Sequence, residues 1–261
     1  MGYTKIITYG DNLELYEYEK DVVVLTGKIS KRKRSSSADV SDIRTDGEST
    51  LSERDSKATL GKRPDNAWRA RLAFRRIVAS NLGGSARPLL VTLTHGENLT
   101  DLAEGYKHFS TFIQSLRHKF GKDFKYICVP EFQKRGSVHF HALVWGLPTE
   151  VFLLERKTRT LARLWGYGFV YLKETDGDER LSHYLAKYMV KAFLDPRLKN
   201  QKAYVASRNI TRPVVIKGVS PVWPILDEYN IDPTPLSDKT YTTERLGMGR
   251  HRHFKTHNDQ H

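Results

Sequence analysis

The sequence predicts an α+β domain built around one antiparallel sheet, and two patterns carry this prediction. Short segments rich in β-branched and aromatic residues alternate with longer segments in which apolar side chains recur at helical spacing. From residue 88 onward the segments follow the order β-α-β-β-α-β-α-β. This is the order of a ferredoxin-like or RRM-like sheet with one additional helix and strand.

The elements of this region are predicted one by one from their periodicity. A helix begins at Asp65 or Asn66, either of which is a suitable N-cap, and ends at Gly83-Gly84. Pro130 lies within a predicted strand, which indicates an edge position or a bulge. The strands are expected at 88–94, 124–132, 138–145, 168–173 and 203–210, and the later helices at 102–120, 151–165 and 179–193.

Three further segments flank this domain, which is expected to span residues 66–217. Residues 1–27 predict an N-terminal β-hairpin extension, with strands at 5–9 and 13–18 and a third strand suited to 22–25. Residues 28–65 are dominated by serine and by both signs of charge, which predicts a linker or mobile loop. Residues 218–261 lack periodicity and predict a C-terminal tail that is at least partly loose.

Composition narrows the class of partner. Lys and Arg number 43 against 30 Asp and Glu, so the net charge is +13, which favours a polyanion such as nucleic acid. The single cysteine, Cys128, excludes an intramolecular disulfide and a cysteine-based zinc site. Without a signal peptide or a long apolar run, we expect a cytoplasmic protein and no membrane partner. No Walker A or G-x-G-x-x-G motif is found, so we expect no nucleotide cofactor and no helicase domain in this chain.

Two histidines on one predicted strand form the first candidate site. Alternate residues of a strand share a face, so His139 and His141 lie side by side while Phe140 faces the core. Adjacent imidazoles on a rigid strand suit a divalent cation, although a half-exposed pair on a solvated face explains this tripeptide equally well. Glu131, expected across the hairpin from the pair, adds a carboxylate, and Gln133 would replace it if the register shifted by two.

A helix rich in tyrosine and lysine forms the second candidate site. Tyr184, Tyr188 and Lys191 recur at i, i+4 and i+7 and share one face, with Lys187 beside them. A phenol is a poor nucleophile near neutral pH, and a lysine one turn away can stabilise a phenolate or the charge on phosphorus. When this pattern is considered alone, the simpler interpretation is an amphipathic helix whose tyrosines pack and whose lysines are solvated. The candidate contacts to a phosphate backbone are Arg135, Arg208, Arg69, Arg75 and Arg76.

Taken together, these elements resemble the HUH endonuclease superfamily, especially rolling-circle replication initiators (Rep proteins) of the two-tyrosine phage and plasmid type. Residues 90–94, in which apolar residues alternate with threonines, are similar to the first motif of that superfamily. His139-Phe140-His141 is similar to the second motif, and the doubled Y-x-x-K of residues 184–191 to the third. The resemblance covers roughly residues 66–217 and implies the HUH endonuclease fold.

The resemblance also implies an activity, a cofactor and partners. Such enzymes bind single-stranded or hairpin origin DNA, and Mg²⁺ or Mn²⁺ held by His139, His141 and Glu131 would polarise the scissile phosphate. A tyrosine attacks and becomes joined to the 5′ phosphate, which leaves a 3′ hydroxyl for a host polymerase, with a host helicase as a further partner. The reverse reaction rejoins ends, and the host would be a bacterial or archaeal cell that carries a phage or plasmid.

Of the two tyrosines, we expect Tyr184 to be the main nucleophile. It lies nearer the start of the helix, where the helix dipole favours a developing phenolate, and Lys187 lies on the following turn. Tyr188 would then serve the second cut or the rejoining step, assisted by Lys191.

Three other functions stay open at this point. A non-catalytic RRM-like nucleic-acid-binding module explains the fold and the charge, but neither the histidine pair with Glu131 nor the doubled Y-x-x-K. A single-tyrosine transposase or relaxase of the same superfamily would share both sites, and the second tyrosine argues against it. A zinc hydrolase is disfavoured because the sequence offers one histidine pair on a strand. A covalent protein–DNA adduct separates the tyrosine enzymes from the rest.

Overall fold

The computed structural model describes residues 2–20, 59–82, 87–148, 150–177, 180–198, 204–218, 223–243 and 246–256. They form two compact units. The smaller unit contains the described residues up to Lys20 and from Thr211 onward, and the larger unit contains those from Thr59 to Ile210. Each unit has one five-stranded sheet in which every strand pairing is antiparallel, so the predicted α+β class is confirmed.

The bounds of the elements agree closely with the sequence over residues 88–145 and less closely elsewhere. In chain order the elements are β1 (Thr4–Tyr9), β2 (Asn12–Tyr18), α1 (Thr59–Ala79), β3 (Leu89–His95), α2 (Leu102–Phe120), β4 (Lys125–Phe132), β5 (Val138–Trp145), α3 (Glu150–Thr158), α4 (Thr160–Trp165), β6 (Gly168–Glu174), α5 (Arg180–Leu194), β7 (Val205–Ala206), β8 (Val214–Lys217), α6 (Trp223–Glu228), β9 (Ser237–Thr243) and β10 (Gly247–Lys255). A single 3-10 turn, Pro196–Leu198, follows α5.

The sheet of the larger unit has the strand order β6-β3-β5-β4-β7. Its first four strands are thus arranged as in a ferredoxin-like β-α-β-β-α-β unit, in which the first and third strands are the inner pair. β7 pairs with β4 only at Ile127 and Cys128, so it is shorter than the predicted strand 203–210. Pro130 lies beyond these two pairs. Proline has no backbone N–H to donate, and at this position β7 does not pair with β4, so no hydrogen bond between the two strands is lost.

The two faces of this sheet are covered by different helices. Phe140 on β5 packs against α2, with its ring 5.4 Å from that of Phe109 and 5.7 Å from that of Tyr106. The opposite face carries the histidines and is covered by α5, whose Leu185 and Ala186 are fully buried. The helix that carries Tyr184 and Tyr188 therefore packs on the sheet face that contains His139 and His141.

We expect Phe140→Ala to lower the free energy of unfolding by about 3–5 kcal/mol, because the ring is fully buried and its removal leaves a cavity. Urea denaturation measures this loss. Leu153→Ala is the matched control, since that side chain is 53% exposed, and it should change stability by no more than about 0.5 kcal/mol. Similar losses for the two variants would contradict the assignment of Phe140 to the core.

The smaller unit differs from the predicted extension and loose tail. The hairpin β1–β2 is present, but it forms part of a sheet of order β8-β1-β2-β10-β9. Residues 214–217, which the sequence assigned to the larger domain, pair with β1. Within the tail, α6, β9 and β10 are ordered, and Leu226 and Phe254 pack with Leu13 in the core of the unit.

Local geometry accounts for two further differences in the helices. The helix predicted at 151–165 is broken into α3 and α4 at Arg159, which adopts a left-handed conformation with φ of 50°. α1 begins at Thr59 rather than at Asp65 or Asn66, so it includes the end of the predicted linker. The strand predicted at 22–25, residues 28–58 of the linker and Gly83-Gly84 lie outside the described residues. None of the described helices is long and apolar enough to cross a membrane.

Candidate active site

The register of three adjacent strands brings the predicted metal ligands together. His139 on β5 pairs with Glu131 on β4 and with Thr94 on β3, so the three side chains form one row across the sheet. His141 lies in the next row, opposite Thr92. Cross-strand neighbours point to the same side of a sheet, so all of these side chains share one face. The direct pairing of Glu131 with His139 means that the alternative register, with Gln133 in its place, is not adopted.

Glu131 is the centre of this cluster. One carboxylate oxygen lies 2.8 Å from His141 Nε2, and the other accepts a hydrogen bond from Lys191 Nζ. Burial on its own would raise the pKa of Glu131, but the hydrogen bonds from His141 and Lys191 outweigh it and hold the pKa at about 2. The carboxylate is therefore ionised at neutral pH and already balanced by a lysine from α5.

His139 is held by its neighbours as a neutral imidazole. Its Nδ1 lies 2.9 Å from Thr94 Oγ1 and 3.4 Å from Gln133 Nε2. Burial, reinforced by nearby His141, lowers the pKa of His139 to about 4. The neutral ring is the form that binds metal ions, and a hydrogen bond to one nitrogen fixes which nitrogen is free to do so.

Both tyrosines of α5 lie against the histidine pair. The Tyr188 ring stacks on that of His141, with centroids 3.7 Å apart and planes at 23°. The hydroxyls of Tyr184 and Tyr188 are 2.8 Å apart, and Tyr184 is 38% exposed while Tyr188 is half-buried. Burial and the hydrogen bond with Tyr184 raise the pKa of Tyr188, so its hydroxyl stays protonated and can donate to the Tyr184 oxygen.

The two lysines of the doubled motif have different surroundings. Lys187 is exposed beside the tyrosines, as the helical spacing predicts. Lys191 is bound to Glu131. From the sequence we expected Lys191 to assist Tyr188. In the structure it neutralises the carboxylate of Glu131 and so links α5 to β4.

The donor set fits a divalent cation in its chemistry and in one distance. Two imidazoles and a carboxylate are ligands that such ions accept. The 2.8 Å between His141 Nε2 and Glu131 Oε2 is close to the separation of about 3 Å between neighbouring ligands in an octahedral site with bonds of about 2.1 Å. Among the described residues, no group of three or more His, Cys, Asp or Glu side chains is arranged to hold a metal ion. Lys191 supplies the positive charge beside Glu131 in this structure, and metal binding stays a prediction.

The predicted DNA-contacting arginines have unequal access to solvent. Arg69 and Arg208 are exposed. Arg135 is exposed but donates to the backbone carbonyls of His95 and Gly96, so it braces the β4–β5 turn against the end of β3. The two remaining arginines are less accessible: Arg75 contacts His183 on α5, and Arg76 is only 8% exposed. The buried position of Arg76 removes it from the surface available to DNA.

The sequence assigned no contact with the histidines to several residues near the site. Thr92 and Thr94 hydrogen-bond the two histidines, whereas residues 90–94 were matched to the first motif of the superfamily only as a pattern of apolar residues and threonines. His95 ends the same strand, but it points to the opposite face of the sheet, where it hydrogen-bonds His108. The useful signal would have been the pairing of T-x-T with H-x-H on neighbouring strands.

A comparison with known families finds a match over the segment that contains these residues. Residues 88–193 match the model of a family described as Replication-associated protein ORF2/G2P. The match runs from β3 to α5 and therefore includes both threonines, both histidines, Glu131 and the tyrosine helix. This similarity is consistent with a rolling-circle Rep-type protein and favours a role in DNA replication. No curated protein and no solved structure matches the chain.

Proposed function

We propose that this protein initiates rolling-circle replication as a site-specific endonuclease of the HUH type, which nicks single-stranded origin DNA and rejoins the ends. One observation carries the proposal: Tyr184 and Tyr188 lie on the histidine pair, with the Tyr188 ring stacked on His141. This arrangement joins two predicted sites that are more than 40 residues apart in sequence, and the match to a replication-associated family covers both.

The chemistry begins with the phenolic oxygen of Tyr184. It attacks the phosphorus of the scissile phosphate, and the bond from phosphorus to the 3′ oxygen breaks. The phenolic proton is lost to solvent, and the leaving oxygen takes up a proton to become a free 3′ hydroxyl. The hydroxyl of Tyr188 donates to the attacking oxygen and so disperses its charge. The 5′-phosphotyrosine ester conserves the bond energy, so rejoining needs no nucleotide cofactor.

We further propose that His139, His141 and Glu131 hold Mg²⁺ or Mn²⁺. When bound, the cation supplies Lewis acidity that polarises the scissile phosphate. Thr92 and Thr94 orient the two imidazoles through their Nδ1 atoms. Lys191 hydrogen-bonds Oε1 of Glu131, so Oε2, which faces His141, would be the oxygen that binds the cation while the lysine orients the carboxylate.

The decisive experiment is incubation of the full chain with single-stranded origin DNA and Mn²⁺, followed by denaturing electrophoresis and mass mapping of any adduct. We expect a covalent adduct on a peptide that contains Tyr184. A non-catalytic RRM-like module would bind the DNA without an adduct, and a zinc hydrolase would cut it without one. A single-tyrosine enzyme would form the adduct but would not use Tyr188.

Binding to single-stranded DNA is expected to weaken steeply with salt. The log–log slope should be about −0.7 for each phosphate neutralised, because binding releases condensed counterions. Arg69→Gln and Arg208→Gln should each make the slope shallower by roughly that amount. Arg250→Gln is the control, since that guanidinium is already bound to Asp238. Filter binding at several salt concentrations gives the slopes, and a salt-independent affinity would contradict backbone recognition.

A further inference from the structure

The edge strand β6 carries two large aromatic side chains that are exposed to solvent. Phe169 and Tyr171 are 64% and 62% exposed. They are two residues apart on one strand, so they point to the same side and stand about 7 Å apart. Exposure of aromatic rings to water is unfavourable, and adjacent exposed rings form an apolar patch of the kind that marks a binding site.

Strand register places this aromatic pair beside the active site. Phe169 pairs with Thr94, which pairs with His139, and Tyr171 pairs with Thr92, which pairs with His141. Both rings therefore lie on the histidine face of the sheet, two strands or about 10 Å from the histidines. The aromatic pair and the histidines therefore lie on one face of the sheet, with Thr92 and Thr94 of β3 between them.

A glycine fixes this register. Gly168 starts β6 with φ of +152°, and a Cβ there would collide with the Gly96 nitrogen and the Thr94 carbonyl oxygen. Only glycine lets β6 approach β3 this closely. The approach sets Phe169 opposite Thr94.

The surroundings of the pair favour nucleic acid over a protein partner. Lys173 follows on the same side of β6 and is exposed, so the strand presents two rings and a cation in line. The chain carries a net charge of +13. In sheets of this architecture, exposed aromatic residues on a strand stack the bases of single-stranded nucleic acid, while lysine and arginine contact the phosphates.

We propose that Phe169 and Tyr171 are a base-stacking platform that holds the nucleotides next to the cleaved phosphate of single-stranded DNA. The proposal takes its ligand from the proposed function and adds the subsite. The rings stack on the bases and Lys173 neutralises a backbone phosphate. The DNA then passes over Thr94 and Thr92 of β3 to reach the histidines on β5. Stacking accepts any base, so the platform supplies affinity and alignment rather than sequence recognition.

The test compares two probes that differ only in their bases: an oligothymidylate of about 15 nucleotides and an abasic oligonucleotide of the same length. Affinities are measured by fluorescence anisotropy with the full chain in chelator, so that binding is separated from cleavage. The variants are Phe169→Ile and Tyr171→Ile, which keep the high strand propensity of both positions and remove the π face. Each is expected to weaken binding of the oligothymidylate by about fivefold or more and to leave binding of the abasic probe unchanged.

Two controls define the outcome. Phe169→Trp keeps the stacking surface and should keep the affinity, while Leu153→Ala removes another exposed apolar side chain, from α3, and should change the affinity for neither probe. Equal affinities of the wild type and both Ile variants for the oligothymidylate would overturn the platform. So would equal losses for both probes, or a change in oligomeric state with unchanged DNA binding, which would show that the patch binds protein. The binding comparison does not require cleavage. If the wild type binds through the rings but forms no covalent adduct, the endonuclease proposal is contradicted and the stacking proposal is supported.

Discussion

The double variant Tyr184→Phe/Tyr188→Phe is expected to lose the covalent protein–DNA adduct by at least about a thousandfold, the scale seen when a nucleophile is removed. Phenylalanine keeps both rings, so position 188 can still stack on His141 and the fold is preserved. Of the single variants, Tyr184→Phe should lose most of the adduct because Tyr184 is the more exposed of the two. Tyr188→Phe should retain the first cut at a reduced rate, because it removes only the donor to the attacking oxygen.

Denaturing electrophoresis of radiolabelled DNA quantifies these adducts. Tyr167→Phe is the control: that ring stacks on His108 on the opposite face of the sheet and should leave the yield unchanged. If Tyr188→Phe alone forms no adduct, the order of the two tyrosines is reversed. If the double variant still forms a normal adduct, the nucleophile lies outside α5 and the proposed mechanism fails.

His139→Ala and His141→Ala are expected to reduce cleavage at least about a hundredfold, since each removes a proposed metal ligand. Circular dichroism should show an unchanged fold, because neither imidazole belongs to the apolar face that packs on α2. Glu131→Gln should weaken Mn²⁺ binding by roughly tenfold or more in isothermal titration calorimetry. In the same variant Lys191 loses its ionised partner.

The matched control for the histidines is His108→Ala. His108 hydrogen-bonds His95 on the other face of the same sheet, so its loss tests whether any histidine substitution in this unit impairs cleavage. Full nicking by the control and none by the two site variants is the expected result. Unchanged nicking by His139→Ala or His141→Ala in the presence of chelator would remove the metal assignment.

The central elements of the larger unit were predictable because their signals are local. α2 was placed at residues 102–120 by its apolar stripe, and the structure has it there, with Asp101 as the N-cap accepting from the Ala103 N–H at 2.8 Å. β5 carries its histidines on one face and Phe140 on the other, as the period of two requires. The neighbourhood of Glu131 and His139 followed from a short hairpin connection.

Features that depend on distant parts of the chain were not predictable. The bond between Lys191 and Glu131 joins residues 60 positions apart, and no local pattern marks it. The break at Arg159 is a left-handed residue without the glycine that usually signals one. β10 was missed because its histidines and arginines have their partners on two other strands: Arg252 bonds Glu17 on β2, and Arg250 bonds Asp238 on β9. Without those partners the segment has the composition of a tail.

The pairing of β10 with β2 has a consequence for synthesis on the ribosome. Arg252 meets a partner 235 residues earlier in the chain, so pairing β10 with β2 closes a very long loop at a high cost in chain entropy. The larger unit is drawn from an uninterrupted stretch and can fold as soon as Ile210 has emerged. Until β8 and β10 are made, β1 and β2 are an isolated hairpin, which is marginal in water. The larger unit can therefore fold first, and β1 and β2 find their sheet partners only after β8 and β10 have left the ribosome.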